Sequence, residues 1–258
     1  MLIYLSVTPD ALARAANVYN RFAHVAYRVG PDSRLLRQNL LLNTRGGLLS
    51  LGDGDCPPIA SPDRLCQELR RECASRNYSG VVADFEGPVT ADRAAFLSML
   101  QTALKPDGRV LYIPEGYAAM VSDAVVIVCT ALSGGQYRQR VEEAVGRFGR
   151  VALDVERLAM DFAVPAPSGA GTPLGAAGLA ALRRERDPAV FFSEELCARY
   201  FTYTRNGVGH FVVFDDGETL GQKIRIGREL GCVAAFLVFP EVEDLLEELF
   251  GPGTDTLR

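Results

Sequence analysis

Residues 78–88 read YSGVVADFEGP. The apolar run Gly80–Ala83 fits a strand covered on both faces, and two carboxylates, Asp84 and Glu86, close it with one phenylalanine between them. On a strand, residues i and i+2 point to the same side. Both acids therefore share a face, about 7 Å apart at roughly 3.3 Å of rise per residue.

Working outward, apolar strand-like runs alternate with helical patterns. The strands read as Leu2–Val7, Phe22–Val29, Gly47–Leu51, Gly80–Phe85, Arg109–Pro114, Ala124–Thr130, Val151–Leu158 and Cys232–Phe239. Helices are expected over Asp10–Arg21, over SPDRLCQELRRECASRN from Ser61 and Pro62, after Thr90, over Gln136–Phe148, near Leu220 and over Glu241–Phe250. Continuous apolar strands separated by helices belong in a parallel sheet with helices outside. Eight of them in 258 residues predict the α/β class and a single (β/α)8 TIM barrel spanning residues 1–258. A doubly wound open sheet would carry a glycine-rich phosphate loop after its first strand, and none is present.

The seventh connection is too long for a simple barrel. It opens with VPAPSGAGTPLG (164–175), continues through a helix at Ala176–Arg186, and gives RYFTYT and GHFVVF joined by RNGVG. That pattern predicts a small α+β insertion over residues 163–219, between strand seven and helix seven. Loops at the C-terminal ends of barrel strands build the active site, so such an insertion would wall a cleft.

Composition narrows the function. With a net charge of −5 and no Lys/Arg cluster, nucleic acid is not an expected partner. No run approaches 18 apolar residues, which predicts no membrane span. The opening MLIYLSVTPDAL lacks a basic leader and a cleavage site, so the expected location is cytoplasmic. Six scattered cysteines predict reduced thiols. His24 and His210 are too isolated for a metal site, and no cofactor is implied. Asn77-Tyr78-Ser79 fits a glycosylation sequon at the mouth of a buried strand and is read as chance. The acidic ending EVEDLLEELF reads as a solvated helix face. The oligomeric state stays open.

A pair of acids on one strand face can keep one carboxyl protonated near neutrality, ready to give a proton to a leaving group. The same D-x-E is equally compatible with a solvated strand end. Its context carries more. YSGVVADFEGP resembles the D-G-x-x-x-D-x-E signature of family-18 glycoside hydrolases, the chitinase-like barrels, and is most similar to the branch of spore-cortex and spore-germination N-acetylglucosaminidases. HVAYRVGPDSRLL resembles that branch's second strand and turn, and LLSLGD its third strand. PVTADRAAFLSMLQTALKPDG is similar to the helix after the signature strand. RYFTYTRNGVGHFVVFDDGETLGQKIRIGRELG is similar to the insertion hairpin and its helix, and CVAAFLVF takes the place of the eighth strand.

The resemblance implies a hydrolase acting on β-linked N-acetylglucosamine glycans, either chitin-like or peptidoglycan of the spore cortex, with an association with the spore. It implies a retaining mechanism in which the substrate's own 2-acetamido oxygen attacks. Glu86 would be general acid and then base, and Asp84 would orient the acetamido group. The chain departs from the pattern at Ser79, for the first Asp, and at Val82. It departs again at Cys129-Thr130-Ala131-Leu132, where the family carries Met-x-Tyr-Asp, and at Leu237, where it carries tryptophan; the chain has no tryptophan. Tyr117 and Tyr137 are the expected replacements at the sugar site, with Asp161 and Leu237 as further lining residues. Tyr112, Glu115 and Gln136 are nearby. Two readings follow: a glycosidase, or a catalytically degenerate barrel that binds a glycan or a protein partner.

Overall fold

The computed structural model describes residues 1–38, 44–54, 56, 58–131, 135–165 and 169–251. In chain order the first half comprises β1 (Leu2–Val7), α1 (Leu12–Ala15), β2 (Phe22–Gly30), β3 (Arg34–Arg37), β4 (Leu48–Gly52), α2 (Pro62–Arg76), β5 (Gly80–Asp84) and α3 (Ala91–Leu104). There follow β6 (Val110–Pro114), β7 (Val125–Cys129), α4 (Tyr137–Phe148) and β8 (Val151–Asp154). An added region holds β9 (Ala159–Val164), β10 (Thr172–Pro173), α5 (Ala176–Arg186), β11 (Phe191–Ser193), β12 (Ala198–Arg205) and β13 (Val208–Phe214). The chain returns through α6 (Gly217–Glu229), β14 (Ala234–Val238), α7 (Phe239–Val242) and α8 (Leu246–Phe250).

Strands β1, β2, β4, β5, β6, β7, β8 and β14 pair in parallel, and β14 meets β1 to close the ring. This is the (β/α)8 barrel expected from the apolar runs. Side chains alternate along every strand. Tyr4, Leu48, Val82, Tyr112, Ala152 and Phe236 fill the barrel interior, whereas Leu5, Val81, Leu111, Val126, Leu153 and Leu237 lie under the helices. On α3, Phe96, Leu97, Leu100 and Leu104 are fully buried, each worth roughly 1.5–3 kcal/mol over exposure. Gly80 opens β5 because a Cβ there would lie 2.2 Å from the Val110 carbonyl oxygen. Asn77 caps α2 with φ of 56°.

Two connections differ from expectation. The helix expected over Asp10–Arg21 is one turn, α1, because the Tyr19 hydroxyl donates to the Ile3 carbonyl (3.0 Å) and its ring meets Phe250, drawing the chain back to the barrel. β6 passes to β7 through a 3-10 turn at Glu115–Tyr117, a connection in which no helix is expected. The closing helix over Glu241–Phe250 is broken into α7, a 3-10 turn and α8.

The added region is larger than a helix and a hairpin. A five-stranded antiparallel sheet, ordered β10-β9-β13-β12-β11, packs one face on α5 through Leu179, Leu182, Phe201, Val212 and Phe214. Strand seven ends at Asp154 rather than Leu158, and β9 begins the new sheet at Ala159, ahead of the expected boundary at 163. The β12–β13 hairpin turns at Asn206-Gly207, both left-handed, as a two-residue turn matching strand twist requires. Residues 166–168 of the Pro/Gly-rich entry and the tail 252–258 lie outside the described residues. No helix among the described residues is long and apolar enough to cross a membrane.

Candidate active site

At the C-terminal ends of the barrel strands lies a cleft of about 640 Å³. Asp84 and Glu86 both line it. The strand period accounts for this: Val82 points into the barrel, Asp84 follows two residues later at the mouth, and Phe85 between them is buried against Phe96 and Tyr117. Ser50, inward-facing on β4, donates to Asp84 Oδ2 (3.4 Å). Burial raises the Asp84 carboxyl above its usual range, and the charges of Glu86 and then Asp53 add to this against the Ser50 hydrogen bond.

Glu86 lies beyond the last strand residue and needs another anchor. Asp53, just past β4 and buried, accepts the Glu86 backbone N–H at Oδ1 (3.1 Å) and pairs through Oδ2 with Arg93 of α3 (2.9 Å). The end of β5 is thus tied to the strand before it and the helix after it. Gly87 lets the chain pass close by, since a Cβ there would sit 3.2 Å from Asp53 Oδ2.

Four more acids line the same cleft. Asp154 ends β8, Glu156 follows it, Glu115 follows β6, and Glu241 lies on α7. Burial pushes Asp154 up to about 6, with Glu156, Asp84 and Glu241 each contributing like charge. Burial also raises Glu241. The Cys129 thiol, pushed up to about 11, donates to Glu156 (3.3 Å). No Lys, Arg or His is among the described lining residues; Arg140 reaches Glu115 from α4, and Arg157 holds the Glu241 carbonyl. Among the described residues no group of three or more His, Cys, Asp or Glu is arranged to hold a metal ion.

The other expected site residues lie elsewhere. Tyr117 is buried edge-on beneath Phe85 and supports the acid strand from behind. Tyr137 is buried with its hydroxyl on the Lys223 carbonyl (3.0 Å) and its ring under the Lys223 ammonium. Asp161 sits on the added sheet, accepting from the Tyr203 hydroxyl (2.6 Å) and facing His210 Nδ1 (2.9 Å). Leu237 is outward by the strand period, and its neighbours Phe236 and Val238 face the cleft instead. Of the nearby groups, Glu115 lines the cleft and Tyr112 packs edge-on against Phe236 in the barrel interior. Ala131 lines an adjoining groove of about 520 Å³ that shares Glu156, Pro240 and Glu241 with the cleft and runs past Leu158, Met160, Leu174 and Leu179. Leu132 lies outside the described residues.

This architecture matches solved structures over nearly its whole length. The spore cortex-lytic enzyme SleL of Bacillus megaterium QM B1551 superposes with a TM-score of 0.65 at 15% identity, over 96% of this chain and 74% of that one. A chitinase from Chromobacterium violaceum gives 0.67 at 15% identity, covering 96% and 97%. The family GH18 chitinase of Cycas revoluta in complex with (GlcNAc)3 gives 0.64 at 12%, covering 99% of each chain. The fold is that of the family-18 glycoside hydrolase barrels. No protein-family model matches the sequence, and no curated protein matches it.

The barrel explains why the acids converge. In a barrel, every βα loop opens on the same rim, so carboxylates from β5, β6, β8 and β14, distant in sequence, share one mouth. Asp154 and Asp53 were open to sequence reasoning only in part. Asp154 is two residues past the inward Ala152, but that inference requires knowing where strand seven stops. Asp53 closes LLSLGD at a strand end, with nothing local to indicate its hold on Glu86.

Proposed function

We propose that this protein is a glycoside hydrolase acting on β-linked N-acetylglucosamine glycans, chitin-like or of the spore cortex, by a substrate-assisted, retaining mechanism. One observation carries the reading: Asp84 and Glu86 stand together in the mouth cleft, at the end of the fourth strand of a family-18-type barrel. Glu86 gives its proton to the glycosidic oxygen as the C1–O bond breaks. The acetamido oxygen closes on C1, and Asp84 accepts the acetamido N–H. Water then attacks C1, breaking its bond to the acetamido oxygen and losing a proton to Glu86, so the acetamido group is restored and the anomeric configuration is retained. The groove that continues the cleft gives a polymeric substrate room on one side.

The test is release of reducing ends from chitooligosaccharides and cortex glycan fragments by the wild type and by Glu86→Gln, which keeps the shape and removes the proton. The expected result is turnover by the wild type that the variant loses. The described cleft residues include only two aromatic rings, Phe85 and Phe236. Since sugars are usually gripped by stacking on aromatic faces, this favours a second reading as a glycan-binding barrel. Binding with equal, negligible release by both proteins would select that reading.

A further inference from the structure

Resting on that reading of the cleft, one carboxyl has no assigned task. Asp154 ends β8 two residues after the inward-facing Ala152 and opens into the cleft; its backbone carbonyl accepts from the Thr130 N–H (3.0 Å), but its carboxylate makes no hydrogen bond to the described residues. It shares the cleft with Asp84, whose charge, after that of Glu156, helps to hold the Asp154 carboxyl up. The groups around it come from every side. Glu156 follows on its own connection, Glu241 is on α7, and Cys129 ends β7. Asp84 ends β5 and Glu86 follows it, Glu115 comes after β6, and uncharged Ser6 and Thr8 come from the end of β1 and just past it. The nearest cations are committed: Arg140 to Glu115, and Arg157 to the Glu241 carbonyl and Asp244.

With no cation among the described lining residues and like charges around it, burial in the cleft favours the protonated form of the Asp154 carboxyl. A carboxylate with a carboxylic acid presents one acceptor and one donor. A secondary amide presents the complement, an N–H and a carbonyl oxygen. We propose that Asp154 holds the sugar's 2-acetamido group together with Asp84, its protonated carboxyl donating a hydrogen bond to the acetamido oxygen while Asp84 accepts from the N–H. Asp154 is then a substrate-binding residue, and the amide is what selects N-acetylated sugars here over their C2-hydroxyl counterparts. The position of the Asp154 titration, about pH 6, sets where that grip is lost.

The experiment is calorimetric binding to Glu86→Gln, which neither turns over substrate nor titrates at position 86. The ligands are the N-acetylglucosamine tetrasaccharide and cellotetraose, which lacks the amide, from about pH 4.5 to about 8. Affinity for the N-acetylated ligand should fall about tenfold per pH unit above about 6, while that for cellotetraose stays flat. Adding Asp154→Asn keeps an N–H donor without a titration, so the pH dependence should vanish with affinity within about tenfold. Adding Asp154→Ala should cost about tenfold at acid pH, with circular dichroism verifying the fold. Affinity for the N-acetylated ligand that ignores pH, or a pH dependence that survives Asp154→Asn, overturns this inference alone. No binding of either ligand at any pH overturns it together with the proposed function.

Discussion

Asp53→Ala should both destabilise the protein and displace Glu86. The side chains of Asp53 and Arg93 are 2% and 11% exposed, so neither can turn to water when the other is removed. Deleting one partner of a buried pair costs about 3–5 kcal/mol. Arg93 retains long contacts to Thr90 Oγ1 (3.3 Å) and the Cys56 carbonyl (3.4 Å), which places this case near the low end, about 3 kcal/mol. The lost acceptor for the Glu86 amide adds about 1 kcal/mol. In urea unfolding Asp53→Ala should therefore lose about 4 kcal/mol at unchanged m, or roughly 8–16 °C in Tm. Arg93→Met in the same background removes the orphaned cation and should return at least about 1 kcal/mol. Asp53→Asn keeps an oxygen for the Glu86 amide, so it should cost stability yet spare most turnover. Asp53→Ala frees that amide, and a shift of about 1 Å in Glu86 is worth about a hundredfold in rate. A loss below about 1 kcal/mol in the alanine variant, or equal kcat in the two variants, would refute the anchoring role of Asp53.

Three further outcomes are expected. Lys223→Met leaves Asp215 buried beside Thr219 Oγ1 and the Leu158 amide without its ammonium, and should cost about 3–5 kcal/mol in chemical unfolding, part of which Asp215→Asn recovers. Asp154→Asn should stabilise the protein in neutral solution. A carboxyl raised from 3.8 to about 6 binds more protons folded than unfolded between those values, so stability falls as pH rises through that window. The variant should recover about 3 kcal/mol above pH 6 and nothing below about pH 4, measured as urea midpoints across pH. His24 is held down to about 4 chiefly by burial, with Arg76 adding to this against the Gly46 carbonyl hydrogen bond. The unfolded chain takes up that proton first, so stability falls as pH drops from about 6.5 to 4, and His24→Phe should flatten this acid limb of the unfolding curve.

The barrel was legible because strands such as Val125–Cys129 and Ala234–Val238 are covered on both faces and read as unbroken apolar runs. Asp84 and Glu86 were legible because a strand's period of two fixes their common side from three residues alone. What escaped depended on register or on distance. Leu237 is one position from the cleft-facing Phe236, and a one-residue slip exchanges the two faces. Asp154 was hidden because VALD runs on into the apolar-spaced VERL, and only the turn toward β9 shows where the barrel strand stops. Tyr117 and Tyr137 look like free rings in a linear reading, yet Phe85 and Lys223, each far along the chain, bury them. Asp161 finds its partners Tyr203 and His210 more than forty residues downstream.

The entry and exit of the added sheet are joined at one point. The Leu158 N–H donates to Asp215 Oδ2 (2.9 Å), the Asp215 N–H returns to the Leu158 carbonyl (2.7 Å), and Lys223 locks the same carboxylate from α6. The barrel therefore sees the intervening stretch as a closed loop with a fixed base. Once the base is set, loop closure costs only about 0.6 kcal/mol for each doubling of length. Whatever is threaded between Leu158 and Asp215 can lengthen, shorten or be exchanged as a cassette, reshaping one bank of the cleft while the strands bearing the acids keep their register.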